Sequence, residues 1–400
     1  MELWDFTSPR KVIFGEDALE YLAGESFTHA FIVTDPIMRK LHLAKVEEQL
    51  KQANTQITVF DEIPGEPTLQ IVQKGAKIIA EIKPDVIIAL GGGSVMDAAK
   101  GMWPMWAAPE DGLDAIEGLH FAEKINIRTK TNCILINIPT TSGTGSEVTW
   151  GAVLTDETKT VHRKASMGNR ELVADIVILD PILTKTLPAH LIAGTGLDAL
   201  CHAIDGYLST YRNDISDALV RHAFKLCWEN LPIAFEQAKN GESDPETREK
   251  LQIAATLAGW GFSNSQIILS HSLAHSAGSV FKIPHSVCIG AMCWYSLMYN
   301  KEAEPQRIAE LARLAGLEGA SDEELTEKLI NVYREFLVNL ELPLSLKDMG
   351  VTEEQYEANY ESLIDFALND TGSLSNPRSL DYEDIEKIFE YAYEGKELDF

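Results

Sequence analysis

Short apolar runs rich in β-branched residues alternate with amphipathic segments over the first half of the chain. Several of these runs are apolar at successive positions, which is typical of strands covered on both faces. The segment at residues 69–82 instead has the spacing of an amphipathic helix. This alternation favours βαβ units and a parallel sheet. The predicted strands cover residues 31–35, 57–61, 86–91, 133–139 and 176–180.

Helical periodicity dominates after about Pro188. The sequence therefore predicts an α/β domain at residues 1–187 and an all-helical domain at residues 188–400. The helices predicted in the second domain cover residues 214–239, 245–261, 304–315, 322–340 and 382–393.

Composition and charge exclude several kinds of partner. The net charge of −27 argues against nucleic acid and anionic membranes, because both are polyanions. No run of 18 apolar residues is present, so no membrane-spanning segment is expected. The five cysteines contain no C-x-x-C pair, which is typical of free thiols in a reducing compartment. Charged residues stand where a signal peptide needs an apolar stretch, so we expect a cytoplasmic protein.

Gly91, Gly92, Gly93 and Ser94 lie between a predicted strand and a helix-like segment. Glycines at such a turn let the backbone approach a phosphate, and the helix N-terminus offers free N–H groups. The turn is neither the G-x-G-x-x-G fingerprint nor a Walker motif. The alternative interpretation is a tight turn in which Ser94 is the helix N-cap.

A second polar segment, TTSGTGSE at residues 140–147, also follows a predicted strand. In open α/β sheets, ligands bind at the carboxyl ends of the strands. Asp35 ends the first predicted strand, where a carboxylate can bind an adenosine ribose and repel a 2′-phosphate. The alternatives are a solvated loop and, for Asp35, a turn before Pro36. Two such loops on one side of a sheet favour a nucleotide site.

Three of the ten histidines fall within fifteen residues. His271 and His275 are four residues apart and share one face of a predicted helix. We expect that helix to begin at Ser263, with Gln266 as its capping-box partner. His285 follows a proline, which predicts an extended turn after the helix.

Asp198 and His202 form a second pair with the same spacing. Imidazole suits first-row transition metals, and one added carboxylate is common in catalytic sites. Taken singly, Asp198 can be a helix cap and His202 a packed or surface histidine. Two histidines on one apolar helix face are costly without partners, so the His271 and His275 pair is the stronger signal for a metal.

Taken together, these motifs resemble those of the iron-containing (group III) alcohol dehydrogenases, in the family's order. The similarity is closest to the alcohol dehydrogenase half of the bifunctional aldehyde–alcohol dehydrogenases, notably in PTLQIVQKGAKIIAEIKPDVIIALGGGS at residues 67–94. The resemblance implies a dehydroquinate-synthase-like architecture. The other segments that carry it are FIVTD at 31–35, DVIIALGGGSVMDAAK at 85–100, IPTTSGTGSEVT at 138–149, ILDP at 178–181, GTGLDALCHAID at 194–205 and FSNSQIILSHSLAHSAGSVFKIPH at 262–285.

Site residues follow from the resemblance. It implies four metal ligands: Asp198, His202, His271 and His285. It places His275 near the nicotinamide as a proton-handling or supporting catalytic residue, and Lys164 near the nicotinamide ribose. The NAD-binding residues that it implies, with Asp35, are Gly91, Gly92, Gly93, Ser94, Asp97, Thr140, Thr141, Thr144, Thr149 and Val153.

The sequence departs from the family pattern at two positions. Ser286 stands where the family usually has a glycine after its last ligand, and we expect a tighter turn with the ligand retained. Ala174 stands where the family often has a proline, which weakens the alignment of Lys164.

The resemblance implies hydride transfer between NAD and a short primary alcohol or aldehyde, with Fe²⁺ as the native metal and zinc possible in purified protein. Four apolar residues near the predicted site agree with such a substrate: Phe262, Ile267, Leu273 and Val287. It also implies a homodimer or higher homo-oligomer. The alternatives are a diol or polyol dehydrogenase acting on 1,3-propanediol, lactaldehyde or glycerol, and a metal-binding protein without catalysis. A dehydroquinate synthase is disfavoured, because residues 262–290 offer only Lys282 for an anionic substrate.

Overall fold

A computed structural model describes residues 5–63, 65–110, 118–119, 125–156 and 163–400. The chain forms two compact units, Met1–Thr186 and Leu187–Phe400. No helix in the described part of the chain is long and apolar enough to cross a membrane.

A six-stranded parallel sheet forms the centre of the first unit, in the order β1-β9-β6-β4-β2-β3. All six residues of β4 are buried, as its continuous apolar run predicts. The predicted strands are present, whereas β1 was missed because it is a short edge strand. The strands are β1 (Lys11–Phe14), β2 (His29–Thr34), β3 (Gln56–Phe60), β4 (Val86–Gly91), β6 (Ile134–Pro139) and β9 (Ile176–Leu179).

The strand order contains a switch between β2 and β4. The chain leaves β2 outward to β3 and then returns to the other side of β2 as β4. Ligands of doubly wound sheets bind at such a point, beyond the carboxyl ends of the strands. Asp35 and the glycine turn lie there. The helices of this unit are α1 (Pro36–Leu41), α2 (Leu43–Gln52), α3 (Leu69–Ile82), α4 (Gly93–Ala107) and α5 (Ile127–Thr131).

A second, three-stranded sheet has the order β5-β8-β7, formed by β5 (Gly118–Leu119), β7 (Gly151–Asp156) and β8 (Arg163–Gly168). Strands β7 and β8 pair antiparallel. The sequence did not predict this hairpin, because β8 has only two apolar residues, Ala165 and Met167, which is too short a pattern to identify a strand.

The second unit is all-helical, so the predicted fold class is confirmed. Side-chain caps begin several of its helices, including Asn213 for α7, Asp244 for α8 and Ser321 for α12. The helices are α6 (Ala189–Leu208), α7 (Asp214–Lys239), α8 (Pro245–Phe262), α9 (Leu269–Phe281), α10 (His285–Asn300), α11 (Pro305–Leu314), α12 (Asp322–Asn339), α13 (Glu353–Leu368), α14 (Thr371–Leu374) and α15 (Tyr382–Glu394).

Helix α6 lies in the core of this unit. Every residue from Gly196 to Leu208 is buried, including two aspartates and one histidine. A helix buried on all sides has no polar face, so periodicity alone does not reveal it. Polar groups in such a place need partners.

Two boundaries differ from the prediction. The helix that carries His271 begins at Leu269 and not at Ser263. Ser263 is instead the C-cap of α8. Gln266 has a positive φ of 71° and is no capping-box partner. His285 is the first residue of α10 rather than part of an extended turn. Pro284 is its N-cap with ψ of 136°, so the extended backbone ends one residue earlier.

Candidate metal and nucleotide sites

Asp198 and His202 lie one turn apart on α6 and point to the same side. Asp198 Oδ1 and His202 Nδ1 are 3.7 Å apart, and both side chains are buried. The ring of Phe262 stacks on His202 with the ring centroids 4.2 Å apart. One face of α6 therefore supplies an oxygen and a nitrogen to a single buried point.

Helices α9 and α10 bring two more imidazoles to the same point. His271 Nε2 is 3.7 Å and His285 Nε2 is 3.4 Å from Asp198 Oδ1. The ligand atoms of Asp198, His202 and His271 all lie within 4.8 Å of one another. The structure thus brings together the four residues that the resemblance implied as ligands.

The atoms that converge there are buried without hydrogen-bond partners among the described residues. They are Asp198 Oδ1, His202 Nδ1 and His271 Nε2. Leaving such a group unpaired costs about 1–3 kcal/mol, and more for a charged one. A divalent cation satisfies all of them at once, and one carboxylate with three imidazoles is a donor set that suits iron or zinc. The residues therefore fit the metal that the resemblance implies.

Burial and charge set the protonation states of the group. Burial lowers the pKa of His202 to about 3 and that of His285 to about 4, so both rings are neutral and able to act as ligands. Burial opposes ionisation of Asp198, but the surrounding histidines outweigh it and hold its pKa well below the usual value. In the absence of a metal, burial lowers the pKa of His271, but Asp205 and Asp198 raise it to about 10.

Sequence reasoning missed Asp205, whose Oδ2 lies 2.7 Å from His271 Nδ1. Asp205 is fully buried and lies on the same helix as Asp198. The two aspartates are seven residues apart, which is two helical turns. That spacing in GLDALCHAID is the signal that could have identified Asp205.

His275 lies beside the cluster rather than in it. The centroid of its ring lies 5.2 Å from the ring centroid of His285 and 5.8 Å from that of His271. His275 Nδ1 donates to Asp370 Oδ2 at 2.9 Å, and the ring is about one-third exposed. Asp370 also accepts from Ser272 Oγ at 3.1 Å. A partly exposed imidazole oriented by a carboxylate is suited to moving a proton.

The glycine turn of the first unit connects β4 directly to α4. Gly91 ends the strand, Gly92 is the N-cap and Gly93 is the first helical residue. Ser94 is therefore not the N-cap. A Cβ on Gly93 would lie 2.9 Å from Thr144 Cγ2. The turn is therefore in contact with residues 140–149, which we call the hydroxyl-rich segment.

The hydroxyl-rich segment packs along this turn. The Thr140 amide donates to the Gly91 carbonyl at 3.0 Å, and the Thr141 side chain lies against Gly92. The Thr144 hydroxyl accepts from the Ser146 amide at 3.2 Å. The backbone of the glycine turn and these hydroxyls thus lie together at the carboxyl ends of the central strands β4 and β6.

Lys100 on α4 holds that segment in place from inside. Its Nζ donates to Ser146 Oγ at 2.8 Å, Thr149 Oγ1 at 3.1 Å and the Gly151 carbonyl at 2.7 Å. Its side chain is fully buried. Burial lowers the pKa of Lys100 to about 8, and the nearby carboxylates limit the shift.

Asp97 joins the same network one turn earlier on α4. Its Oδ1 accepts from Ser146 Oγ at 2.7 Å and lies 3.8 Å from Lys100 Nζ, while its Oδ2 accepts from the Val153 amide at 3.0 Å. Burial raises the pKa of Asp97. Apart from Asp35 and Lys164, the residues implied for NAD binding therefore lie in one connected group formed by the end of β4, α4, the hydroxyl-rich segment and β7.

Asp35 is the N-cap of α1. Its Oδ1 accepts from the amides of Ile37 at 2.8 Å and Met38 at 2.9 Å, as the turn before Pro36 predicts. Capping alone explains why an aspartate stands here. Lys164 lies on β8 opposite Thr155, and its side chain is outside the described part of the chain.

Family models match both halves of the chain. One described as "Iron-containing alcohol dehydrogenase" matches residues 9–181, and one described as "Fe-containing alcohol dehydrogenase family, C-terminal" matches residues 192–393. These matches confirm the family that the motifs indicated.

Known proteins are similar in sequence to this chain over almost its whole length. An NADPH-dependent butanol dehydrogenase of Clostridium saccharobutylicum is 34% identical over 99% of both chains. The bifunctional aldehyde-alcohol dehydrogenase of Escherichia coli (strain K12) is 34% identical over 97% of this chain, which spans 46% of that enzyme. The structure of a sulfoacetaldehyde reductase from Bifidobacterium kashiwanohense in complex with NAD⁺ matches with a TM-score of 0.84 and 26% identity, over 98% of this chain and 99% of that one.

Proposed function

The chain belongs to the iron-containing alcohol dehydrogenase family and is an alcohol dehydrogenase, and we propose that it interconverts short primary alcohols and aldehydes with NAD and Fe²⁺. The observation that carries the proposal is the convergence of Asp198, His202 and His271, whose buried atoms lack other partners among the described residues. Catalytic metal sites commonly leave a position open for substrate.

We propose that Asp198, His202, His271 and His285 hold the metal. When bound, a divalent metal supplies a Lewis acid for the substrate oxygen and NAD supplies the hydride acceptor. The neutral rings of His202 and His285 and the ionised Asp198 are the forms that ligation needs. Zinc remains an alternative occupant of purified protein, since it binds more tightly than Fe²⁺ to such sites.

The proton of the reaction is assigned to His275. Asp370 accepts from its Nδ1, so Nε2 carries the lone pair or the transferable proton. Asp370 thereby fixes the orientation of the ring. The same pair also lies near the proposed ligands, with the His275 ring 5.2 Å from that of His285.

For NAD we propose the glycine turn and the hydroxyl-rich segment at the carboxyl ends of β4 and β6. The backbone of Gly92 and Gly93 and the N-terminus of α4 suit a diphosphate. Asp35, Asp97, Val153 and Lys164 complete the proposed set. We further propose that Asp35 disfavours a 2′-phosphate, giving a preference for NADH although one relative is named as NADPH-dependent.

The proposal for short apolar substrates rests on the surroundings of the histidines. Phe262 stacks on His202, and Ile267 and Val287 are partly buried nearby in sequence. Leu273, which we expected in the pocket, is fully buried in the hydrophobic core. An apolar site discriminates between chain lengths by only about 1–3 kcal/mol per methylene, so a graded series of substrates is expected.

Three further expectations belong to the proposal. Residues 1–187 form the NAD-binding domain and residues 188–400 the metal-binding domain. The protein assembles as a homo-oligomer, which sedimentation would test. It is located in the cytoplasm, which fractionation would test.

The test is an anaerobic reconstitution with Fe²⁺ or Zn²⁺, followed by steady-state kinetics with NADH and aldehydes of two to six carbons. We expect the highest rates with Fe²⁺ and simple aldehydes. Glycerol and 1,3-propanediol are assayed with NAD⁺ and lactaldehyde with NADH. A kcat/KM for any of these tenfold above that for every simple alcohol or aldehyde would favour the polyol alternative. Metal binding without NADH binding or turnover would favour a non-catalytic protein.

A further inference from the structure

Asp205 is the second carboxylate that α6 buries in the core, two turns after Asp198. Its side chain is completely inaccessible to solvent. A carboxylate in such a place is costly unless several donors satisfy it. The donors that satisfy Asp205 identify what it does.

All of those donors belong to the start of α9. Asp205 Oδ2 accepts from the Ile268 amide at 2.9 Å and from His271 Nδ1 at 2.7 Å. The Ser270 hydroxyl lies 2.6 Å from both carboxylate oxygens. One carboxylate from α6 therefore fixes both the first turn of α9 and the ring of the histidine on it.

The direction of the His271 hydrogen bond determines which nitrogen is left free. With Nδ1–H donated to Asp205, the other ring nitrogen, Nε2, faces Asp198 Oδ1 at 3.7 Å. That nitrogen is buried and has no hydrogen-bond partner within the described residues. A carboxylate on the far nitrogen of a ligating histidine fixes its tautomer and raises its basicity.

We propose that Asp205 is a positioning residue that holds the His271 ring with Nε2 toward the metal and so sets how tightly the protein retains that metal. This rests on the proposed metal site. The two aspartates of α6 then have different roles: Asp198 contributes a ligand atom, and Asp205 orients a ligand that belongs to another helix.

A purely structural role predicts a different result. If Asp205 only caps α9, asparagine should replace it, because its side-chain oxygen also accepts from an amide. If Asp205 orients and polarises His271, Asp205→Asn removes the charge that keeps the ring basic and weakens metal binding even where the cap survives. Asp205→Glu keeps the charge but displaces it by one methylene.

The experiment titrates Zn²⁺ into the metal-free protein against a chromophoric chelator, with thermal unfolding of each metal-free variant measured in parallel. We expect Asp205→Asn to raise the Kd for Zn²⁺ by about 10–100-fold. Asp205→Glu should lie between Asp205→Asn and the unmodified protein. The matched control is Ser270→Ala, which removes a neighbouring donor to the same carboxylate and should leave the Kd within about threefold.

An Asp205→Asn protein that folds and binds Zn²⁺ as tightly as the unmodified protein would overturn the proposal. If Asp205→Asn does not fold, Asp205→Glu decides, since unchanged Zn²⁺ affinity in that variant would overturn it equally. An unmodified protein that binds neither Zn²⁺ nor Fe²⁺ would instead refute the metal site itself, which separates failure of the proposed function from failure of this inference.

Discussion

His275 on α9 donates from Nδ1 to Oδ2 of Asp370, at a distance of 2.9 Å, although the two residues are 95 positions apart in the chain. Asp370 is mostly buried and also caps α14 through the Gly372 amide at 2.9 Å. The short helix thus carries the carboxylate that orients the imidazole beside the proposed ligands. This relationship gives the first two predictions.

We expect Asp370→Asn to lower kcat by about tenfold with little change in KM for the aldehyde, because the ring loses its orienting charge. His275→Ala should cost more, about 100-fold, since it removes the proton-handling group itself. Steady-state kinetics at several pH values measure both. The control is Asp365→Asn on the exposed side of α13, which should be silent. Equal losses in Asp370→Asn and this control would exclude an orienting role.

The Asp370 carboxyl also links stability to pH. Burial opposes its ionisation, but His275 and the hydrogen bonds outweigh burial and lower its pKa to about 2, from an ordinary value of 3.8. A depressed pKa stabilises the fold above the unfolded-state pKa, and this stability is lost as pH falls from about 4 to about 2. Asp370→Asn should therefore lower the free energy of unfolding by about 2 kcal/mol at pH 7 and by much less near pH 2. Denaturant unfolding of the metal-free protein at both pH values tests this.

His271→Ala should lose most bound metal and most activity while the protein stays folded. The reason is that the variant removes one of the three atoms that converge within 4.8 Å. Metal analysis after dialysis, with circular dichroism for the fold, measures the result. The exposed His190→Ala is the matched control and should keep its metal. Full metal content and rate in His271→Ala would show that the ligand assignment is wrong.

Lys100→Met should destabilise the protein by about 3–5 kcal/mol, because it leaves the partly buried Asp97 and the buried Glu147 without the positive charge of Lys100. It should also weaken NADH binding by about tenfold, since Ser146 and Thr149 lose the donor that fixes them. Thermal unfolding and energy transfer from protein to NADH are the measurements.

The double variant Asp97→Asn/Lys100→Met should recover part of the lost stability, since Asp97 then no longer carries a charge that lacks its partner. Strict additivity of the two single variants would contradict a direct interaction between these side chains.

Asp35→Ser should relax the preference for NADH over NADPH. Serine keeps the N-cap of α1 but removes the charge that we propose repels a 2′-phosphate, an effect of about 1–3 kcal/mol in a partly desolvated site. The ratio of kcat/KM values for the two cofactors is the measurement. If the unmodified enzyme has the same kcat/KM for NADPH as for NADH, there is no preference for Asp35 to cause.

The sequence alone determined the features that depend on neighbouring residues. The apolar run of β4 predicts a buried strand and the spacing of α3 an amphipathic helix, because both periodicities are local. The pairs Asp198 with His202 and His271 with His275 follow from helical spacing in the same way. The order of the motifs then indicated the family, which the comparisons confirmed.

Only the tertiary structure decided which side chains from separate segments meet. α9 starts at Leu269 rather than Ser263, and the amide just before it, that of Ile268, is held by Asp205, 63 positions earlier in the chain. Asp370 contacts His275 although it lies 95 positions later in the chain. Local patterns carry no information on such contacts, because the packing of α9 against α6 and against α14 sets them. A buried carboxylate then accepts from whichever donors that packing supplies.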